Sequence, residues 1–223
     1  SQPANRADFY IAQKVGSIQE EADQRGLAHF LEHMAFQGTK NFPGKGIITS
    51  LEKHGVSFGR NINAYTAQNE TVYNLSDVPT NSESLLDTCL LILHDWSYYL
   101  TLEDDEIDAE RGVITEEWRT RRTPQFRIQK QMFPVLFKDS KYAIRDVIGN
   151  LDVIKNFKYQ TIRDFYHEWY RTDLEAIAIV GDFDVAKMEQ KVKELFSKIP
   201  AVENPTPRPF YEIPEHDEMY YCL

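Results

Sequence analysis

Two imidazoles and a carboxylate fall within the run His29-Phe30-Leu31-Glu32-His33. On a helix, residues i and i+4 project from one face, so His29 and His33 can meet a single zinc ion at about 2.0–2.1 Å, the usual Zn–N distance. Glu32 sits beside that line, where its carboxylate could reach a water on the metal. The order His-x-x-Glu-His reverses the commoner zinc-protease motif. The plain alternative is two surface histidines on an amphipathic helix. Against it, Leu27, Phe30, Leu31 and Met34 form one arc of the wheel, and the histidines lie on the other with Phe36 close by. A solvated face would not need that phenylalanine. The pattern arises by chance in about 1% of shuffled chains of this composition, low enough to pursue.

A catalytic zinc takes three protein ligands and keeps one position open. The segment Glu110-Arg111-Gly112-Val113-Ile114-Thr115-Glu116-Glu117-Trp118 offers the third. Glu110 and Glu117 are two helical turns apart and share one line. Both fall in an apolar arc with Ile107, Val113, Ile114 and Trp118, whereas Glu116 lies off it. Carboxylates buried among apolar side chains need a positive partner. A metal would serve, and so would Arg121, one turn on. The wheel does not rank Glu110 against Glu117.

These residues need a scaffold, and the rest of the chain describes one. It has 223 residues, 42% hydrophobic, with a net charge of −10 from 25 basic and 35 acidic side chains. That is a globular composition with enough chain for a proper core. The longest apolar runs, Cys89–Leu93 and Ala176–Val180, are far short of the ~20 residues of a membrane-spanning helix. The acidic balance argues against non-specific nucleic-acid binding. Strand patterns occur at Phe9–Val15, Val56–Tyr65, Glu70–Ser76 and Ala176–Val180. Helical patterns occur at about 24–37, closed by Gly38, and at 45–54, 82–99, 102–122, 126–138, 161–170 and 185–198. Thr101 is placed to cap the helix at 102. Strands adjacent in sequence imply an α+β fold, a largely antiparallel sheet packed against helices. Four prolines between Pro200 and Pro209 read as a linker, so residues 1–204 are expected to form one unit and 205–223 a linker with the start of a following segment.

The motif His29-x-x-Glu32-His33 followed by Glu110-Arg111-x-Val113-x-x-x-Glu117 resembles the pitrilysin/insulysin family of inverzincin metallopeptidases, which includes the mitochondrial processing peptidase. The likeness extends to Gly26-Leu27-Ala28, Phe36-x-Gly38-Thr39, Asn63-Ala64-Tyr65-Thr66, Glu70-Thr71-x-Tyr73 and Val180-Gly181-Asp182-Phe183, in order along the chain. It implies one Zn2+ per chain held by His29, His33 and Glu117, with Glu32 as general base. Glu110 would orient the site from behind the ligands. The strand Asn63-Ala64-Tyr65 would be the edge to which a peptide substrate adds. Family units of this size occur in pairs that enclose a chamber. The expected partners are therefore a peptide substrate and the C-terminal half of the protein or a homologous unit, with no nucleic acid and no membrane span. Gln37 stands where the family often has Asn.

A non-catalytic assembly subunit of the same fold is the rival reading. Such subunits lose His or Glu residues of the motif, and here all are intact. A purely structural zinc site would be four-ligand and Cys-rich. Cys89 lies on an apolar helix face and reads as inert core. His54, His94, His167 and His216 lack a spaced partner and read as structural or surface residues. The cluster Arg119–Arg122 reads as a solvated helix end. Ser1–Asp8 is polar and carries no export signal. The apolar run Met219–Leu223 stops without a turn, like a strand cut short. The chain is thus expected to be a piece of a longer protein, periplasmic if a signal was removed and cytoplasmic otherwise.

Overall fold

The computed structural model describes residues 3–216. The strands are β1 (Arg6–Gln13), β2 (Ile62–Thr66), β3 (Thr71–Pro79) and β4 (Glu175–Gly181). Between and around them run α1 (Leu27–Met34), α2 (Gly46–Glu52), α3 (Glu83–Tyr98), α4 (Asp104–Thr120), α5 (Pro124–Leu136), α6 (Leu151–Asn156), α7 (Tyr159–Trp169) and α8 (Val185–Phe196). The sheet has the order β2-β3-β1-β4 with every neighbouring pair antiparallel, as the sequence implies.

One face of the sheet carries the core. On β1, Ala7, Phe9, Ile11 and Gln13 are buried and the intervening residues are partly exposed, the period-2 pattern of a sheet covered on one side. α3 lies on β1 and β3, and α1 lies on β2 and β3 with α4 and α7 against it. Ser82 starts α3 by accepting from the Leu85 N–H, and Leu85, Cys89, Leu90, Leu93 and Trp96 sink into the core. Trp96 stacks on Tyr73, and its Nε1 donates to the carbonyl of Ala35 at 2.9 Å, fixing the end of α1. The Tyr73 and Tyr170 hydroxyls bond to each other at 2.8 Å beneath the sheet.

The start of α1 is held by a buried carboxyl group that reaches the residue just before His29. Glu20 Oε2 and Oε1 accept the N–H groups of Gly26 and Ala28, each at 2.9 Å. Burial pushes the Glu20 carboxyl up to about 8, against the pull of those two donors and of Arg145. Gly26 has φ +105°, and a Cβ there would meet the Gly149 Cα at 3.2 Å, so only glycine makes this entry into α1.

Several expected boundaries move. Of the helix expected at about 24–37, α1 keeps Leu27–Met34: Gly26 precedes it at φ +105°, and residues 35–37 turn out of the helix. Gly38 does not end it in the left-handed region; it is small because a Cβ there would lie 2.8 Å from Thr101 Oγ1. Thr101 does not cap α4. Leu102 sits at φ +48°, and the helix starts after Glu103 with no side-chain cap. The strand read from Val56 begins only at Ile62, since residues 57–61 fold into a turn in which Asn61 Oδ1 accepts from the Ser57 N–H. The short helix α6, capped by Asn150, has too few residues to show a period. Residues 200–216 carry no helix or strand, and Met219–Leu223 lies outside the described residues.

Candidate metal centre

α1 and α4 cross with their functional side chains inward. Ligand atoms of His29, His33 and Glu117 all lie within 4.8 Å of one another, the only such group of three among the described residues. Glu117 Oε2 is 3.5 Å from His29 Nε2 and 3.3 Å from His33 Nε2. Ligand atoms 2.0–2.1 Å from a tetrahedral zinc are about 3.3–3.4 Å apart, so these separations suit one ion between them.

The protonation pattern points the same way. His33 Nδ1 is 2.7 Å from Glu110 Oε1, so the ring proton belongs on Nδ1 and the Nε2 lone pair faces the Glu117 oxygen. Two lone pairs at 3.3 Å need a cation or a proton between them. In the geometry without an ion, burial pulls the His33 imidazole down, but the hydrogen bonds to Glu110 and Glu117 outweigh it and raise it to about 9. Glu117, bonded to His33, is held near 2. Burial, with the charge on His33 beside it, lowers His29 to about 4, so its ring is neutral and free to ligate. His29 Nδ1 is buried with no partner.

Each candidate residue can be located. His29 and Glu110 are buried; His33 and Glu117 are partly exposed. Glu117 satisfies both readings of its chemistry at once, with Oε1 paired to Arg121 and Oε2 turned to the histidines. Glu110 makes no pair with Arg121. Its second oxygen accepts from Gln37 Nε2 at 2.6 Å. Glu32 lies off the histidine line, and Thr66 Oγ1 donates to its Oε2 at 2.6 Å. Burial raises the Glu32 carboxyl above its ordinary range despite that bond. Val113, expected in the apolar arc, is 52% exposed because it faces an open cleft and not the core.

That cleft has a volume of about 490 Å3 and is lined by Glu32, His33, Phe36, Phe58, Ala64 and Val113, among others. β2 forms one side of it. Asn63 and Ala64 border the cleft, whereas Tyr65 turns to solvent and its hydroxyl donates to Glu70 at 2.9 Å. Thr66 and Gln37 had no functional role in the sequence reading. A signal existed for each: Thr66 is in phase with Ala64 along a strand, and Gln37 lies one turn beyond His33.

Residues 1–138 match the family model described as Insulinase (Peptidase family M16), and residues 156–222 match one described as Peptidase M16 inactive domain. The second stretch holds none of His29, Glu32, His33, Glu110 and Glu117. The chain is 38% identical to a probable zinc protease PqqL of Haemophilus influenzae over 92% of its own length and 22% of that protein. It is 28% identical to the chloroplastic stromal processing peptidase of Arabidopsis thaliana, over 88% of this chain and 15% of that one. Among solved structures, the first half of the periplasmic protease PqqL from Escherichia coli superposes with a TM-score of 0.87 at 37% identity, covering 93% of this chain and 44% of that chain. The chain thus spans about a fifth of the length of the curated PqqL relative.

Proposed function

The chain belongs to the insulinase family, peptidase family M16, and from that membership we propose that it is the metal-bearing part of a zinc-dependent metalloendopeptidase acting on peptides or small unfolded proteins. The observation that carries the reading is the convergence of His29 Nε2, His33 Nε2 and Glu117 Oε2 from two helices. Relatives named as zinc proteases support it.

A zinc ion held by these three groups would supply Lewis acidity, polarising the scissile carbonyl and acidifying water. The chain's own residues do the rest. Glu32 takes a proton from the attacking water and returns it to the leaving amine. Its burial favours the protonated form needed for that return, and the Thr66 hydroxyl fixes the carboxylate's direction. Glu110 holds the proton on His33 Nδ1 and so keeps Nε2 available, and Gln37 holds Glu110. The edge strand through Asn63, Ala64 and Tyr65 receives the substrate as an added strand, with the Ala64 backbone facing the free edge.

Residues 1–204 act as the peptidase unit and 205–223 lead into further chain. That further chain, or a homologous unit, closes the site, so the 223-residue piece cleaves more slowly than the longer protein. Likeness to the periplasmic protease PqqL supports an exported location. No helix among the described residues is long and apolar enough to cross a membrane.

The test is Glu32→Gln in the zinc-loaded, full-length protein. It should retain its zinc and lose peptide hydrolysis by roughly 10²–10⁴-fold, the ordinary contribution of a general base. Turnover near wild type would overturn the assignment.

A further inference from the structure

The register of the sheet decides how a peptide would lie on β2. The carbonyl of Asn61 accepts from Ser76, and the Ala67 N–H donates to Glu70. Bonded pairs alternate along an antiparallel ladder, so the backbones of Asn63 and Tyr65 are turned to β3. Ala64 and Thr66 present theirs to the free edge. Ile62 is closed off, because its N–H donates to Ser57 and its carbonyl accepts from Gly59. An added strand continues an all-antiparallel sheet and so runs opposite to β2. Its N-terminal residues then lie at Thr66 and its C-terminal residues at Ala64. Glu32 bonds to Thr66, so the bond to be cut falls between two hollows. Downstream residues face the cleft at Phe36 and Phe58. Upstream residues face a separate pocket of about 330 Å3 beyond Thr66.

That second pocket is lined by Gln68, Arg121, Phe126, Lys130, Phe133 and Arg145, among others. Its wall is the corner between α4 and α5. In a chain of net charge −10, residues 119–130 contain Arg119, Arg121, Arg122, Arg127 and Lys130 and no acid. Arg119 pairs with Glu116, Arg121 with Glu117 and Lys130 with Asp146. Arg122 lies over the Trp118 ring and Arg127 donates to the Arg122 carbonyl; neither has a carboxylate partner among the described residues. Asp146, the acid in the pocket, is already shared with Arg25. The pocket's own lining carries Arg121, Lys130 and Arg145 against a single acid, Asp146, with Phe126 and Phe133 beside them, and Arg122 and Arg127 stand on the same corner outside that lining.

We propose that this pocket receives the substrate side chains on the N-terminal side of the scissile bond and selects Asp and Glu over Lys and Arg there. The inference rests on the peptidase reading, and the following experiment separates the two. Four labelled decapeptides are titrated against the zinc-loaded, full-length Glu32→Gln protein by fluorescence anisotropy. One pair carries three Glu or three Lys in the N-terminal half. The other pair carries the same residues in the C-terminal half. The Glu peptide of the first pair should bind about tenfold tighter than its Lys counterpart, with the second pair differing less than twofold, as expected of a localised charge. Gln129→Glu with Lys130→Glu, both in the pocket's lining, should reverse the first preference and leave a neutral peptide within twofold. Should the double variant fail to fold, Gln129→Glu alone, at an exposed position of the lining, should still shrink the preference. Equal affinities within the first pair, the same bias in both pairs, or no binding of any peptide would overturn the pocket assignment. The protein with Glu32 intact supplies the separate readout. Biased binding without cleavage would sink the peptidase reading and leave the pocket standing; cleavage without upstream bias would do the opposite.

Discussion

His94 and His33 each meet a carboxylate through Nδ1, and the two pairs differ in what surrounds them. His94 Nδ1 lies 3.3 Å from Asp95 Oδ1, and Asp95 is then saturated by Thr39 Oγ1, the Asn41 N–H and Asn41 Nδ2 at 2.7–2.8 Å. Every further donor comes from one loop, and the imidazole is packed between Tyr99 and Phe196. The pair ties residues 39–41 to α3. His33 bonds Glu110 more closely, at 2.7 Å, but its other nitrogen points at Glu117 beside a second histidine. A His–carboxylate bond is therefore no mark of a site. What distinguishes the second pair is that the far nitrogen converges with other lone pairs on an open cleft.

The largest expected effect breaks that contrast directly. His33→Ala should lose tight zinc binding by more than the roughly 10–100-fold typical of outer-shell changes, while His94→Ala keeps wild-type stoichiometry. Metal analysis after dialysis against a weak chelator reads both. Equal retention would mean that His33 is no ligand. Next in size, Glu110→Gln should weaken zinc about 10–100-fold, and Glu117→Gln should weaken it more. The reverse order would exchange their roles.

Asp95→Asn sharpens the comparison from the other side. It should leave zinc affinity unchanged and cost about 1–3 kcal/mol of stability, because buried donors lose a charged acceptor. Burial alone would raise the Asp95 carboxyl. The bonds from His94, Thr39 and Asn41 outweigh it and hold the group below its ordinary value. A depressed folded-state pKa stabilises above the unfolded value of about 4, and that contribution is lost as pH falls through the folded one. Denaturant midpoints measured from pH 6 down to pH 2 should therefore show a drop in wild type that is smaller in the variant. The smallest effect belongs to Thr66→Val. Losing one hydrogen bond worth about 0.5–1.5 kcal/mol should lower kcat/KM by a few-fold with zinc unchanged. A loss comparable to that of Glu32→Gln would show that the hydroxyl does more than orient.

Much of this contrast was legible in the residues themselves. His29 and His33 show their shared face by spacing, whereas His94 has no partner at helical spacing and read as structural, in keeping with its packing. The sheet and the long helices followed from periodicity, which α3 displays over its whole length. The wheel could not rank Glu110 against Glu117, because both lie on one line and the choice depends on where α1 crosses α4. Gln37 and Thr66 act through contacts that tertiary packing alone creates. Gly38 and Thr101 carried local helix-boundary signals, but their pairing across the fold overrode both.

The central claim is one ion between α1 and α4. It is tested most directly by anomalous scattering at the zinc edge from crystals of the zinc-loaded protein. The account predicts a single strong peak about 2.0–2.1 Å from His29 Nε2, His33 Nε2 and Glu117 Oε2. A fully loaded crystal with no peak there, or with its peak at His94 and Asp95, would contradict it.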